Sequence, residues 1–263
     1  MKNSPTLLRE MLALRNDEEA RGLMRFFKTG KGEYGEGDQF LGIRVPVTRA
    51  LVKRLRKETT MEDLEVCIQS PWHEVRLAAL LTLIQTFKHN KKDTAVQKTC
   101  IDFYLAHTDR INNWDLVDLS CYELLGTWLL DKDRTLLYNL ARNGKTIWEQ
   151  RIGIVTTMQF LRHGQTHDTF AIADILLHHP HDLIHKAAIK RGKSRTGSNA
   201  SEREQARLIS QSVGWLLREA GKRNETELIA YLDKHHTTMP RTMLRYAIER
   251  LAEPQRKLYL RKR

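Results

Sequence analysis

An apolar segment with helical spacing returns five times along this chain, and that recurrence restricts the fold more than any other feature. The copies are residues 74–81, 116–121, 149–155, 211–217 and 241–247. Each sets apolar residues three and four apart, the period of a helix with a buried face. Runs that alternate apolar and polar residues never exceed four, so strands are not expected. Anchored on Arg76, Asp118, Arg151, Ser212 and Met243, the copies are separated by 42, 33, 61 and 31 residues. Three of these steps lie within the roughly 30–47 residues of paired-helix repeats. The expected fold is therefore all-α: a single α-solenoid over residues 1–263, with equivalent positions of successive repeats lining one surface.

The N-terminal part reads the same way. Leu7, Leu8, Met11, Leu12 and Leu14 predict a first helix, Glu18 to Phe27 a second, and Val47 to Lys57, opened by Pro46, a third. Gly30, Gly32, Gly35 and Gly37 mark a loop between the last two. It lacks the Gly-Lys-Ser/Thr end of a phosphate-binding loop and carries acidic residues, so it reads as a connection.

The step of 61 residues is too long by about one helix. The surplus falls around residues 190–201, which are small, polar and basic, and predicts an insertion near residues 188–207 inside the array. From Lys186 to Arg223 ten Lys and Arg stand against three Asp and Glu. Such a run is ordinarily a solvated face, but its sign matches the whole chain, whose formal net charge is +12. That balance suits a polyanion, nucleic acid before an acidic membrane. The three cysteines, Cys67, Cys100 and Cys121, are widely spaced, which argues against a disulfide framework and against a Cys-x-x-Cys metal motif. Neither a signal peptide nor a membrane span is visible, so a soluble cytoplasmic protein is expected.

Four residues stand out chemically. Trp114 and Asp118 are four apart and share a helix face, with Asp115 beside them. Asp is a poor interior helix former, and a carboxylate against an aromatic face carries a desolvation cost. The alternative is structural: Asp115 as a cap, Trp114 as core. Arg151 can hold a phosphate bidentately or bridge to a neighbouring helix. Trp215 can present a π-face to a cation or fill the core. Trp72 and Trp148 read as packing residues. His178, His179, His181 and His185 cluster around Pro180, and His181 and His185 have zinc-ligand spacing. Without the glutamate of His-Glu-x-x-His they read as a loop, with no metal.

Together, Asn113-Trp114-Asp115-Leu116-Val117-Asp118, Trp148-Glu149-Gln150-Arg151, Val213-Gly214-Trp215-Leu216-Leu217-Arg218-Glu219, residues 239–247 and residues 33–46 resemble the AlkD-type bacterial DNA alkylation repair glycosylases. The resemblance covers nearly the whole chain in the same order. It implies a right-handed solenoid of HEAT-like helical repeats with a basic concave face that wraps DNA. It implies excision of N3- and N7-alkylated purines such as 7-methylguanine and 3-methyladenine. On the matching positions Asp118 would be the catalytic carboxylate, Trp114 and Trp215 the aromatic walls beside the lesion nucleotide, and Arg151 a backbone contact. Lys186, Lys190, Arg191 and Arg245 are further candidates for DNA contact.

The chain departs from the family pattern at one place. The segment Asp182-Leu183-Ile184-His185-Lys186-Ala187 is separated from Val213-Gly214-Trp215, and a partial second copy, Leu208-Ile209-Ser210-Gln211-Ser212, precedes Trp215 instead. Either segment can supply the lesion-side helix. No lysine occupies a matched position for a Schiff base, so a monofunctional hydrolase is expected, without metal or organic cofactor. The expected partner is double-stranded DNA carrying alkylated purines, bound by a monomer in the bacterial cytoplasm at the nucleoid, without a membrane. Two other readings stand: a non-catalytic helical repeat protein that binds DNA structure, and a protein-binding scaffold, which the charge disfavours.

Overall fold

The computed structural model describes residues 4–178 and 200–261, with side chains from residue 203 in the second stretch. The protein is all-α. Among the described residues its regular elements are helices, with one isolated parallel bridge between Gln39 and Trp72. The chain groups into two compact units, residues 1–124 and 125–263.

The first unit contains α1 (Thr6–Ala13), α2 (Asp17–Phe26), α3 (Val45–Leu55), α4 (Met61–Ile68), α5 (His73–His89), α6 (Thr94–Ala106) and the short α7 (Trp114–Asp118). Several helix starts are set by side-chain caps. Asn16 accepts from Glu18 N and Glu19 N for α2, Thr60 and Asp63 form a capping box for α4, and Asp93 caps α6. Pro46 occupies the first turn of α3, as expected. At the centre lies α5, which packs against α1, α3, α4, α6 and α7. Every residue from His73 to Ile84 is buried, the signature of a core helix enclosed on all sides.

One expectation fails here. The apolar run through Cys121, Leu124, Leu125, Trp128 and Leu129 predicts one continuous helix from Trp114, but the α-helix breaks after Asp118 and helical backbone resumes at Cys121. The Ser120 hydroxyl donates to the Leu116 carbonyl at 2.5 Å, competing for an acceptor of the backbone ladder. A π-helical turn at Tyr122–Gly126 follows, and the unit boundary falls inside it.

The second unit contains α8 (Thr135–Asn143), α9 (Ile147–Val155), α10 (Met158–Arg162), α11 (His167–Leu177), α12 (Ala200–Gly221), α13 (Glu225–His235), α14 (Arg241–Ala247) and α15 (Glu253–Leu260). Its hub is α12, packed against α9, α10, α11, α13 and α14. The insertion expected near residues 188–207 is already helical from Ala200, because α12 begins there. Its earlier part, and the segment Asp182–Ala187, lie outside the described residues. Both Leu208–Ser212 and Val213-Gly214-Trp215 belong to α12. This unit is clamped by Arg134, whose guanidinium donates to Asp168 Oδ2 at 2.5 Å and to Gln165, and sits 3.8 Å over the Phe160 ring. It fastens the start of α8 to α10 and α11.

Gly214 sets the approach of α12 to α14. A methyl group there would collide with the Met243 carbonyl and come within 2.7 Å of Tyr246 Cβ. Gly22, mid-way along α2, has nothing within 4 Å of an added methyl. Gly214→Ala should destabilise the protein by roughly 1–3 kcal/mol through overpacking. Gly22→Ala should stabilise it by about 0.5–1 kcal/mol through helix propensity. Urea midpoints of the two variants should move in opposite directions; a Gly214→Ala midpoint equal to the parent's would mean that α12 and α14 are not in close contact.

Candidate functional site

The candidate site of the first unit is built on α7. Asn113 caps this helix by accepting from Trp114 N at 2.8 Å. Asp115 faces inward. Its Oδ1 accepts from Leu116 N at 2.9 Å and its Oδ2 from His73 Nε2 at 2.8 Å. His73, the first residue of α5, is 1% exposed. Its other ring nitrogen, Nδ1, donates to Asp38 Oδ2 at 2.9 Å. Arg76, one turn on, donates through Nη2 to Asp38 Oδ1 at 2.6 Å and to Asn112 Oδ1 at 3.0 Å. Its Nη1 holds the carbonyls of Ser70 and Pro71.

An imidazole that donates to two carboxylates must be protonated. Burial alone would drive His73 toward the neutral form, but Asp115 and Asp38 outweigh it and raise the imidazole to about 9. Burial likewise works against the Asp38 carboxylate. The His73 hydrogen bond and the nearby Arg76 charge overcome that and hold Asp38 below its ordinary value. Two buried cations thus face two buried anions, and the cluster ties α7 and its approach to α5.

The neighbouring Glu74 does related work. Its buried carboxylate accepts from Leu41 N and Gly42 N at 2.8 Å and from Ile43 N at 3.1 Å. Gly42 has φ +84°, and a side chain there would strike the Asn16 carbonyl. The stretch from Asp38 to Ile43 is therefore moulded onto the start of α5.

Above the ionic cluster lies a stack of rings. His73 stacks on Phe40 (4.4 Å between centroids), Phe40 on Phe27 (5.0 Å) and Phe27 on Trp114 (5.3 Å). Phe26, 63% exposed, meets Trp114 edge-on at 6.0 Å. Trp114 is half-buried, at the end of this stack. One turn further on, at the last residue of α7, stands the half-buried Asp118. Burial pushes the Tyr104 phenol well above its usual value, and the neighbouring Cys121 and Asp118 add to that.

The second unit holds the remaining candidates. Arg151 is buried on α9 and donates through Nη1 to the Leu208 carbonyl of α12 at 2.9 Å. Trp215 is half-buried on α12, two turns beyond Leu208, and Arg245 is exposed on α14. Lys186, Lys190 and Arg191 lie outside the described residues, as do His179, His181 and His185. Trp148 is buried, in keeping with a packing role, and Trp72 is half-buried with the Arg15 guanidinium 5.1 Å over its ring. The structure thus places Trp114 and Asp118 on one short helix and ties Arg151 to the helix that carries Trp215.

Sequence reading missed His73, Asp38, Phe27 and Phe40, and used Arg76 only to measure repeat spacing. A signal was present: His73, Glu74 and Arg76 open a helix whose next residues, Leu77 to Leu81, are apolar on every face. Three ionisable residues at such a position require buried partners.

The family described as DNA alkylation repair enzyme matches this chain over residues 7–188 and 198–251. Among solved structures, a predicted DNA alkylation repair enzyme from Enterococcus faecalis shares the fold with a TM-score of 0.59 at 20% identity, covering 91% of this chain and 97% of that chain. No curated protein sequence matches.

The protonated state of His73 has a measurable consequence. Its ordinary value of 6.5 is raised to about 9 in the folded protein. The stabilisation is therefore complete below about pH 6.5 and is lost as pH rises through about 9, amounting to at most roughly 3 kcal/mol. Thermal unfolding should show Tm falling between these limits. His73→Gln should be less stable at pH 6 and should have a flatter profile. Equal slopes for the two proteins would show that His73 is not the titrating group.

Proposed function

The chain belongs to the DNA alkylation repair enzyme family, and we propose that within it this protein is a monofunctional DNA glycosylase that hydrolyses the N-glycosidic bond of cationic N3- and N7-alkylated purines. The observation that carries the reading is the pairing on α7: an aromatic face and a half-buried carboxylate one turn apart, on a helix fixed from below. DNA is the partner that the family indicates. Double-stranded DNA bound by a monomer, in the cytoplasm at the nucleoid, is the setting we infer.

The chemistry suits such a site. Alkylation at N3 or N7 leaves the purine positively charged and a good leaving group. The protein has mainly to stabilise an oxocarbenium-like deoxyribose as the bond breaks. A fixed carboxylate does so electrostatically, in the role proposed for Asp118. The faces of Trp114 and Trp215 attract a cationic base or sugar. Water is the nucleophile, since no lysine stands at a matched position. Arg151 is proposed to reach the DNA backbone from α9. Arg245 and, beyond the described residues, Lys186, Lys190 and Arg191 are proposed to add phosphate contacts. We read the whole as one repeat domain whose basic insertion serves the same end.

The test is single-turnover release of 7-methylguanine from a duplex carrying one such base, beside a binding titration. Asp118→Asn should slow release on the order of 10²–10³-fold and leave affinity nearly unchanged, because the interaction it removes forms in the transition state. A parent protein that binds the duplex yet releases no base would support the non-catalytic DNA-binding reading instead. Arg151→Ala should weaken DNA binding by roughly 1.5–3 kcal/mol if the guanidinium meets a phosphate. A lowered Tm with unchanged affinity would confine Arg151 to holding α9 against α12.

A further inference from the structure

A second chemical cluster lies in the second unit, where α11 ends beside the end of α13. Asp174 and His178 are four residues apart, one turn along α11 and its C-terminal cap. His235 is the last residue of α13. One donor atom from each of Asp174, His178 and His235 lies within 4.8 Å of the others. Asp174 Oδ1 is 3.3 Å from His235 Nε2 and 3.7 Å from His178 Nδ1. The two imidazole rings are 6.1 Å apart between centroids and inclined at 72°.

We propose that Asp174, His178 and His235 form a binding site for a divalent transition metal of the zinc class, joining α11 to α13. Two observations beyond proximity support this. First, Asp174 Oδ1 is a buried oxygen with no hydrogen-bond partner, although two imidazoles face it. A buried carboxylate oxygen left without a donor is costly, and a cation shared with the two rings satisfies it. Second, His178 Nδ1 lies 2.8 Å from the Asp174 backbone carbonyl and donates to it. With Nδ1 held there, Nε2 is the nitrogen that His178 offers a metal, and metal-bound histidines are commonly oriented in this way through their second nitrogen.

The surroundings agree. Tyr231 lies against the His235 ring at 4.5 Å, and Phe170 against Tyr231 at 5.5 Å, so one side of the cluster is aromatic. Glu227, which lines the same hollow, is engaged by the Thr166 hydroxyl and Asn224 Nδ2. Lys234 also lines this hollow and is the cation that a bound metal must tolerate. Two imidazoles and one carboxylate form a borderline donor set that suits zinc better than magnesium or calcium. Among the described residues these ligands fill three of the four positions of a tetrahedral site. A bound ion would act as a staple between two helices of the second unit, independent of the chemistry proposed for α7.

Calorimetric titration of the chelator-treated full chain with Zn²⁺ tests the site, with Tm as a parallel readout. One saturable equivalent is expected, with a rise in Tm of roughly 5–10 °C at a free concentration about a hundredfold above Kd. His178→Gln changes an exposed side chain and should fold normally; it and Asp174→Asn should each weaken binding at least tenfold and abolish the rise. Absence of saturable binding in the parent would overturn the proposal. So would an affinity unchanged in both variants, which would assign the zinc to other histidines of the chain.

Discussion

The first unit depends on one proton. His73 can bond both Asp38 and Asp115 only as an imidazolium, and through those bonds α5 holds the loop before α3 on one side and α7 on the other. Buried ion networks are a poor source of net stability, because desolvation offsets much of the attraction. What this one provides is uniqueness. Asp115 has a single position in which Oδ2 meets His73 while Oδ1 takes the Leu116 amide. The seat and angle of α7 follow, and so does the plane of Trp114 on Phe27. Arg76 repeats the logic from the next turn by joining Asp38 to Asn112.

That rigidity bears on Asp118. Two carboxylates three residues apart differ in burial: Asp115 is buried and held by an imidazolium, and Asp118 is half-buried at the helix end. In the role proposed for it, Asp118 would stabilise charge that appears only in the transition state, and such a group is most effective when it is fixed before the reaction begins. A five-residue helix cannot fix itself, since its few hydrogen bonds barely exceed the cost of nucleation. The ionic cluster and the ring stack supply from outside what α7 lacks. The early stop of the helix at Asp118, set by the Ser120 hydroxyl on the Leu116 carbonyl, then leaves that carboxylate at an end instead of inside a longer cylinder.

These features were unequally legible in the sequence. The helical class and the central helices of both units were readable because apolar periodicity is local. Trp114 and Asp118 were singled out because their residue types suit a packing helix poorly, and α7 does carry both. The break after Asp118 was not read, because a serine in an apolar run does not announce which carbonyl its hydroxyl will take. His73 and Asp38 are 35 residues apart, and a lone histidine at a helix start has many ordinary explanations. The tie from Arg151 to the Leu208 carbonyl is likewise invisible to spacing. The same holds for Asp174 and His235: the histidine-rich stretch drew attention to its own members, while the partners of His178 lie one turn back and on another helix.

The charge of the chain and the geometry of α7 answer different questions. Many of the arginines described are engaged within the protein: Arg76 with Asp38, Arg134 with Asp168, Arg218 with Glu219 and Glu249. Such pairing cannot remove the excess, because each pair takes one cation and one anion. Forty-four Lys and Arg against thirty-two Asp and Glu leave twelve cations without an acidic counterpart, however the pairs are drawn. An excess of that size favours any polyanion, and its contribution weakens steeply with salt. It carries no information about a damaged base. In the reaction proposed, selection comes from the lesion itself, whose own positive charge weakens its bond to the sugar, and from a site able to meet developing charge with a fixed carboxylate and an aromatic face. The buried cluster under α7 is where this sequence invests in such fixity, at the cost of placing four charges in the core.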